Sequence, residues 1–240
     1  MTPEEYMNKY LHCPVWLADD TVSEIRIDRY LNHGESSNSD AAWRAYERLI
    51  QELATLTRTR PWATRYQKDG WVFETRLLRR AFVGKGSPSN IQDVYLAASY
   101  CGLVTASSAQ DYANRCLGTD CNGFVGNYFG LDPNSSISSY DSHPRDRRSR
   151  AEEIQPRDVV VFLDSAGKHK HIALVQSVTT RTNGAELTLV QSRSEESGGV
   201  QSVTETVTFQ TDRAGHIYYV GPLRRHAYLV PAASAGGPTE

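Results

Sequence analysis

The chain has 240 residues, enough for one sizeable domain or two small ones with a real hydrophobic core. Its 39% hydrophobic and 22% charged residues exclude a wholly disordered or collagen-like protein. The 26 basic and 28 acidic side chains leave a net charge of -2, so no overall positive field favours nucleic acid or an anionic membrane. No apolar run approaches the roughly 20 residues that span a bilayer.

The N-terminal segment and the cysteines bear on where the protein works. The segment MTPEEYMNKYLHCPVW is acidic and then mixed, which predicts that no secretory signal is removed from it. The cysteines are too few and too irregularly spaced for a disulfide framework, and this favours a reducing compartment. They are Cys13, Cys101, Cys116 and Cys121. We therefore expect a cytoplasmic protein, or one exported by a specialised secretion route.

The first half of the chain is predicted to be mostly helical. Apolar residues recur at three- and four-residue spacing from Trp43 to Leu56, and Ser39 or Asp40 can cap that helix. A second helix is expected to begin after Ser89 or Asn90 and to stop at Gly102.

After Pro156 the pattern changes to short runs rich in β-branched and aromatic residues, separated by glycine-containing turns. The predicted strands are Asp158 to Leu163, His171 to Val178, Glu186 to Gln191, Val203 to Phe209, His216 to Val220 and Ala227 to Val230. Helices followed by a meander of strands are typical of an α+β domain with an antiparallel sheet.

The stretch Asp120-Cys121-Asn122-Gly123-Phe124 combines a thiol with a predicted helix start. Apolar residues after it predict a helix that begins at or just after Cys121. A thiol there is exposed to the helix dipole and to unpaired amides, which favour the thiolate and can stabilise an oxyanion. The alternative is that Cys121 is simply a small buried hydrophobic residue.

A histidine stands at the predicted start of an apolar strand, in Lys168-His169-Lys170-His171-Ile172. An imidazole fixed there can take a proton from the thiol and later give it to a leaving amine. On its own, His171 is better interpreted as a surface or hydrogen-bonded structural histidine than as a catalytic one. His169, flanked by lysines, is expected to be solvated.

These two motifs, with Gln155-Pro156-Arg157-Asp158-Val159-Val160-Val161-Phe162 between them, resemble the NlpC/P60 superfamily of papain-like cysteine hydrolases. That family reads roughly D-C-S-G-F/L, then P-G-D-L-V-F-F, then H-V-G-I/L-Y. The resemblance runs from about Tyr95 to Val207, somewhat less than half the chain. The departures are Asn122 for the serine, Arg157 for the glycine and Ala173 for the small residue of the histidine strand.

The resemblance implies a papain-like core in which N-terminal helices pack on a C-terminal antiparallel sheet. Residues 91–230 would form the catalytic domain. Residues 1–90 match nothing in the family and are interpreted as a helical extension of unknown role. Residues 231–240 are small and polar and are expected to form a flexible tail.

The resemblance also implies that a polar residue on the next strand orients the imidazole, and the position points to Gln191. If the hairpin loop spans Thr179 to Asn183, Gln191 lies opposite His171. If Asn183-Gly184 is a two-residue turn instead, Glu196 takes that place. A neutral amide would hold the ring without favouring its charged form, whereas a carboxylate would favour imidazolium.

Four further residues are candidates for substrate binding. Asp120, Asn122 and Gly123 flank the thiol, and Tyr112 stands upstream of it, as cleft-lining tyrosines do in the family. A core position for Tyr112 is the alternative.

Two other clusters of side chains are candidates for a functional site. Cys116 and Cys121 with His169 and His171 could form a zinc tetrad, but the cysteine spacing lies outside the common range and a metal would occupy the nucleophile. We therefore predict no metal and no cofactor. An arginine-rich loop is interpreted as a solvated face that could also attract an acidic substrate. Its members are Arg145, Arg147, Arg148 and Arg150.

The function implied by the resemblance is cleavage of amide bonds in peptidoglycan stem peptides, through a thioester on Cys121 with His171 as base and then acid. Such an enzyme could be a delivered antibacterial effector with an immunity or inhibitor protein, or a lysin. The alternatives are a papain-like deamidase, transglutaminase or protease acting on a protein, and an inactive binding module. No nucleic-acid partner and no membrane span are expected.

Overall fold

The structure, a computed structural model, describes residues 1–32, 37–182, 184–194, 198–220 and 226–234. The helices are α1 (Pro3–Leu11), α2 (Ser37–Leu56), α3 (Thr75–Phe82), α4 (Pro88–Tyr100), α5 (Ala109–Cys116) and α6 (Cys121–Phe129). The strands are β1 (Cys13–Trp16), β2 (Val22–Ile25), β3 (Arg65–Lys68), β4 (Trp71–Glu74), β5 (Val159–Leu163), β6 (His169–Arg181), β7 (Gly184–Arg193), β8 (Gly199–Thr211), β9 (Ile217–Val220) and β10 (His226–Val230). The predicted α+β class is confirmed.

The described residues divide into two compact units. The helical unit comprises Asn8–Phe124 and Ser192–Val200, and the barrel unit comprises Met1–Met7, Val125–Gln191 and Gln201–Glu240. The division does not follow the predicted boundary at residue 90, because most of that segment shares a unit with the start of α6. Of the predicted tail, residues 235–240 lie outside the described part of the chain.

The helical unit is built on the two helices that the sequence predicted in this region. Helix α2 packs against α3 and α5, and α4 packs against α3 and β1. Helix α4 begins earlier than predicted because Ser87 Oγ accepts a hydrogen bond from Asn90 N while Asn90 Oδ1 accepts one from Ser87 N, a reciprocal cap.

Two short hairpins interrupt the region that the sequence analysis predicted as mostly helical. Strands β1 and β2 pair antiparallel, and so do β3 and β4. The second hairpin turns through Asp69 and Gly70, both of which have positive φ (50° and 83°). An Asp-Gly pair is a recognised signal for such a turn, so this hairpin was open to prediction.

In the barrel unit the six predicted strands are all present, and they close on themselves. The hydrogen-bonded order is β10-β5-β6-β7-β8-β9, and β9 pairs with β10 to complete the barrel. The prediction of a papain-like core was therefore wrong in architecture. The described pairs β5–β6, β6–β7, β8–β9, β9–β10 and β5–β10 are nevertheless antiparallel, as predicted for the sheet. Long strands bent by bulges, such as the one between Val175 and Ser177, allow a sheet to coil until its edges meet.

Side chains that point into the barrel form its core, and they alternate along neighbouring strands. They include Val160, Phe162, Ala173, Val175, Leu187, Leu189 and Leu229. Within the described ranges, no helix is long and apolar enough to cross a membrane.

Candidate active site

Cys121 is the first residue of α6, as predicted. Asp120 caps this helix: its Oδ1 accepts a hydrogen bond from Gly123 N at 2.6 Å, and its carbonyl accepts one from Phe124 N at 2.9 Å. Cys121 is buried, at 6% exposure. A structural cysteine would show the same burial, so the position at the helix start is what distinguishes this thiol.

The segment that leads into α6 is held by contacts from three distant parts of the helical unit. Thr119 N donates to Arg29 O at 3.1 Å, and Asp120 N donates to Gly84 O at 2.9 Å. Ser192 Oγ donates to Thr119 O at 2.6 Å. Residues far apart in sequence thus fix where the helix begins.

Gly123 permits one of these contacts to be very close. A Cβ atom at this position would lie 2.0 Å from the carbonyl oxygen of Gly84, a distance that no side chain can accept. The structure thus gives Gly123 a packing role, whereas its place beside the thiol had made it a candidate for substrate binding.

Asp120 is also fully engaged. The carboxylate is buried, and its Oδ2 lies 2.6 Å from Lys85 Nζ while Oδ1 caps α6. Both oxygens are therefore used within the protein. Sequence reasoning missed Lys85, because a single lysine between two glycines carries no pattern that connects it to an aspartate thirty-five residues later.

The other cysteines are in environments that oppose thiolate formation. Burial raises the pKa of Cys13 to about 12, and burial and then the nearby Glu52 raise that of Cys101 to about 12. Burial also raises the pKa of Cys116, against the influence of Arg115 and Arg29. None of these three cysteines forms a disulfide bond, and neither does Cys121.

In the barrel unit, His171 and Gln191 are brought together. His171 Nε2 lies 2.6 Å from Gln191 Oε1, and the imidazole packs against the Phe162 ring at 5.3 Å between centroids. Because an amide oxygen can only accept, Nε2 is the ring nitrogen that donates this hydrogen bond, and in a neutral ring Nδ1 is then the nitrogen with the basic lone pair. Gln191 itself is 1% exposed, so the contact is shielded from water.

This contact arises in a register that neither predicted hairpin describes. Leu174 pairs with Val190, and beyond the bulge Arg181 pairs with Gly184. When the first register is continued, Gln191 lies diagonally across from His171, at a distance that a long side chain can bridge. Strand β6 also begins at His169, two residues before the predicted start. The competing candidate, Glu196, lies outside the described residues.

The remaining candidates are placed as follows. Tyr112 is 5% exposed and packs edge-on against Tyr95, with ring centroids 5.7 Å apart, so it occupies the core position that was the alternative. Burial raises its pKa. Asn122 follows the thiol in the first turn of α6 and is half-buried.

The prediction that His169 is solvated was wrong. Its Nε2 lies 3.0 Å from Asp141 Oδ2, and Arg147 donates to both oxygens of the same carboxylate, at 2.8 and 2.6 Å. Burial alone would raise the pKa of Asp141, but the hydrogen bonds from Arg147 and His169 outweigh it and the pKa is lowered.

The arginine-rich loop is solvated only in part: Arg145 and Arg150 are exposed, whereas Arg147 and Arg148 pair with buried carboxylates. Arg148 donates to both carboxylate oxygens of Asp158, each at 2.8 Å, and Arg150 Nε lies 2.9 Å from Glu153 Oε1. Where the structure describes the chain, it contains no group of three or more histidine, cysteine or acidic side chains that could hold a metal ion.

The thiol therefore belongs to the helical unit, and the His171–Gln191 pair belongs to the barrel unit. Compared with protein-family models, curated proteins and solved structures, the chain matches none.

Proposed function

We propose that the protein is a cysteine hydrolase that cleaves amide bonds in peptidoglycan stem peptides, with Cys121 as nucleophile and His171 as base. The observation that carries the proposal is the 2.6 Å contact between His171 Nε2 and Gln191 Oε1. A histidine oriented by a third polar residue is the arrangement that thiol activation requires, and the NlpC/P60 resemblance implies this partner.

The position of the thiol supports the same chemistry. The first turn of a helix presents amides whose partial positive charge favours a thiolate, and Asp120 fixes where that turn begins. In contrast, the pKa values of Cys13 and Cys101 are raised to about 12, so these thiols are poor nucleophiles.

A backbone feature supports the resemblance where the side chain departs from it. Arg157 occupies the position of the family's glycine, and its φ is 78°, in the left-handed region that glycine favours. Its amide donates to Val175 O, on the histidine strand, at 2.7 Å. The local conformation is therefore one that suits the family's glycine, although the residue is arginine.

The proposal concerns the reaction and does not require a papain-like core. Cysteine–histidine chemistry recurs on unrelated folds, so a barrel can carry it.

In the proposed reaction the Cys121 thiolate attacks the amide carbonyl carbon and forms a tetrahedral intermediate. The C–N bond then breaks, and imidazolium gives its proton to the departing amine, which leaves a thioester. A water molecule, deprotonated by His171, attacks the thioester carbonyl. The acid is released and the thiol is regenerated. The Cys121 amide would contribute to stabilising both oxyanions.

The test is incubation of the purified protein with purified sacculi, with released peptides identified by mass spectrometry. We expect stem-peptide fragments from the wild type and none from Cys121→Ser or His171→Ala. Cys101→Ser and His12→Ala are matched controls that should retain activity.

Intact sacculi after incubation with folded wild-type protein would overturn the proposal. So would release that persists in Cys121→Ser. Deamidation or cross-linking of a glutamine on a protein substrate, with sacculi untouched, would assign the same residues to a different reaction.

A further inference from the structure

Lys85 makes a buried ion pair with the residue that precedes the proposed nucleophile. Its Nζ lies 2.6 Å from Asp120 Oδ2, and the two side chains are only 16% and 6% exposed. The other carboxylate oxygen accepts from Gly123 N in the first turn of α6. One carboxylate therefore links Lys85 to the start of the helix that carries Cys121.

The backbone around Lys85 is fixed independently of this ion pair. Lys85 N donates to Arg80 O at 2.8 Å, and Gly84 O accepts from Asp120 N at 2.9 Å. On the other side of the lysine, Tyr10 Oη donates to Gly86 O at 3.0 Å. The turn between α3 and α4 therefore fixes the position of the backbone that carries the Lys85 ammonium group.

The charge of Lys85 matters because of what Asp120 would do alone. A buried carboxylate beside a thiol disfavours the thiolate, since two like charges in a poorly solvated place repel each other. A buried carboxylate without a partner is also costly in itself. An ammonium group on Oδ2 removes both problems and leaves Oδ1 to cap the helix.

We propose that Lys85 is a positioning residue for Cys121: it neutralises Asp120, so that this carboxylate can cap α6 without opposing thiolate formation. The inference rests on the proposed function of Cys121 as a nucleophile. It also reassigns Asp120 from substrate binding to the support of the thiol.

The experiment measures the rate at which iodoacetamide alkylates Cys121 at neutral pH, site by site, by peptide mass spectrometry of the full-length protein. Lys85→Met should react about 10-fold more slowly than the wild type, because the carboxylate is no longer neutralised. Lys85→Arg keeps the charge and should restore most of the rate. Lys68→Met is the matched control, since Lys68 pairs with Asp69 on a more exposed surface, and its rate should equal that of the wild type.

A double variant separates charge from fold. In Lys85→Met/Asp120→Asn both charges are gone, while asparagine still caps the helix, so the alkylation rate should return close to that of the wild type. An equal rate in Lys85→Met and wild type would overturn the inference. A slow rate that the double variant does not recover would also overturn it, because the role of Lys85 would then be structural.

If Lys85→Met does not fold, Asp120→Asn alone carries the test. It removes the negative charge of the residue next to Cys121 while Lys85 keeps its positive charge, so alkylation should be faster than in the wild type. An equal or slower rate would contradict the inference.

Failure of the proposed function would look different. In that case sacculi stay intact and His171→Ala leaves the alkylation rate unchanged, whereas the effects of Lys85 and Asp120 substitutions on the rate persist.

Discussion

The two units hold their proposed functional groups by different kinds of contact. In the barrel unit, His171 stands on a ladder of hydrogen-bonded strands with a bulge beside it, over an aliphatic core. Buried ion pairs such as Asp141–Arg147 stabilise the long connection that precedes the strands. In the helical unit, the start of α6 is held where backbone segments meet, at Gly84 and Gly123.

The difference teaches how each unit should respond to substitution. A ladder of paired strands tolerates a local substitution because many equivalent hydrogen bonds stabilise it. A buried charge, in contrast, depends on one partner. A glycine contact depends on the absence of a single carbon atom. Five predictions test this contrast, from the largest expected effect to the smallest.

The barrel unit should be most sensitive at Asp141. Its side chain is 1% exposed and accepts from both Arg147 and His169, so Asp141→Ala leaves a buried arginine without its partner. We expect a loss of about 4 kcal/mol in the free energy of unfolding. Urea denaturation at neutral pH measures it. Asp146→Ala, at an exposed aspartate of the same loop, should change stability by less than about 0.5 kcal/mol.

The same residue predicts a pH dependence. Because its folded-state pKa is lowered, Asp141 contributes stability that is fully present above the unfolded pKa of about 4 and is lost as pH falls through the folded value. The stability difference between wild type and Asp141→Ala should therefore narrow on acidification. A difference that stays constant down to the acid transition would contradict this.

In the helical unit, the start of α6 should be sensitive at Gly123. In Gly123→Ala the new Cβ would lie 2.0 Å from Gly84 O, so the backbone must move, and this should cost about 3 kcal/mol despite alanine's better helix propensity. Thermal and urea unfolding measure the loss. Gly130→Ala is the control that measures the cost of an unfavourable backbone conformation without a clash. A Cβ there meets open space, and only the positive φ of 70° is unfavourable. Equal losses in the two variants would contradict the clash.

Gln191 should affect activity far more than stability. Gln191→Leu removes the hydrogen bond that orients His171, and a misplaced base costs about 100-fold in rate. It also removes a buried Nε2 that has no hydrogen-bond partner among the described residues, which limits the loss of stability. Peptide release from sacculi and urea unfolding are measured together. Gln201→Leu, on the neighbouring strand β8, should leave both unchanged, and full activity in Gln191→Leu would remove Gln191 from the mechanism.

The smallest effect concerns the backbone of Arg157. Its positive φ favours glycine, so Arg157→Gly should be about 1 kcal/mol more stable than Arg157→Ala, although both lose the arginine side chain. The same pair at Arg150, where φ is -142°, should show the opposite order. Urea unfolding of the four variants shows which member of each pair is the more stable.

Local patterns in the sequence were sufficient for a large part of the fold. The six C-terminal strands, the helices around Trp43 and Val94, and the start of α6 at Cys121 were all predicted, because their side-chain periodicity and turn residues lie within a few positions of one another. The contact between His171 and Gln191 was also predicted. It formed in a different register: the pairing of Leu174 with Val190 is shifted by two residues from the predicted one, and a bulge adds one further residue towards the hairpin turn.

Tertiary structure alone decided the closure of the barrel, the membership of residues 8–90 in the unit of the thiol, and the partners of Asp120 and Asp141. Each depends on residues that are distant along the chain and that no period or motif connects. The sequence by itself determined which groups are present and which local element carries each of them. The meeting of those elements is set by burial and hydrogen bonding summed over the whole chain, which a local pattern does not record.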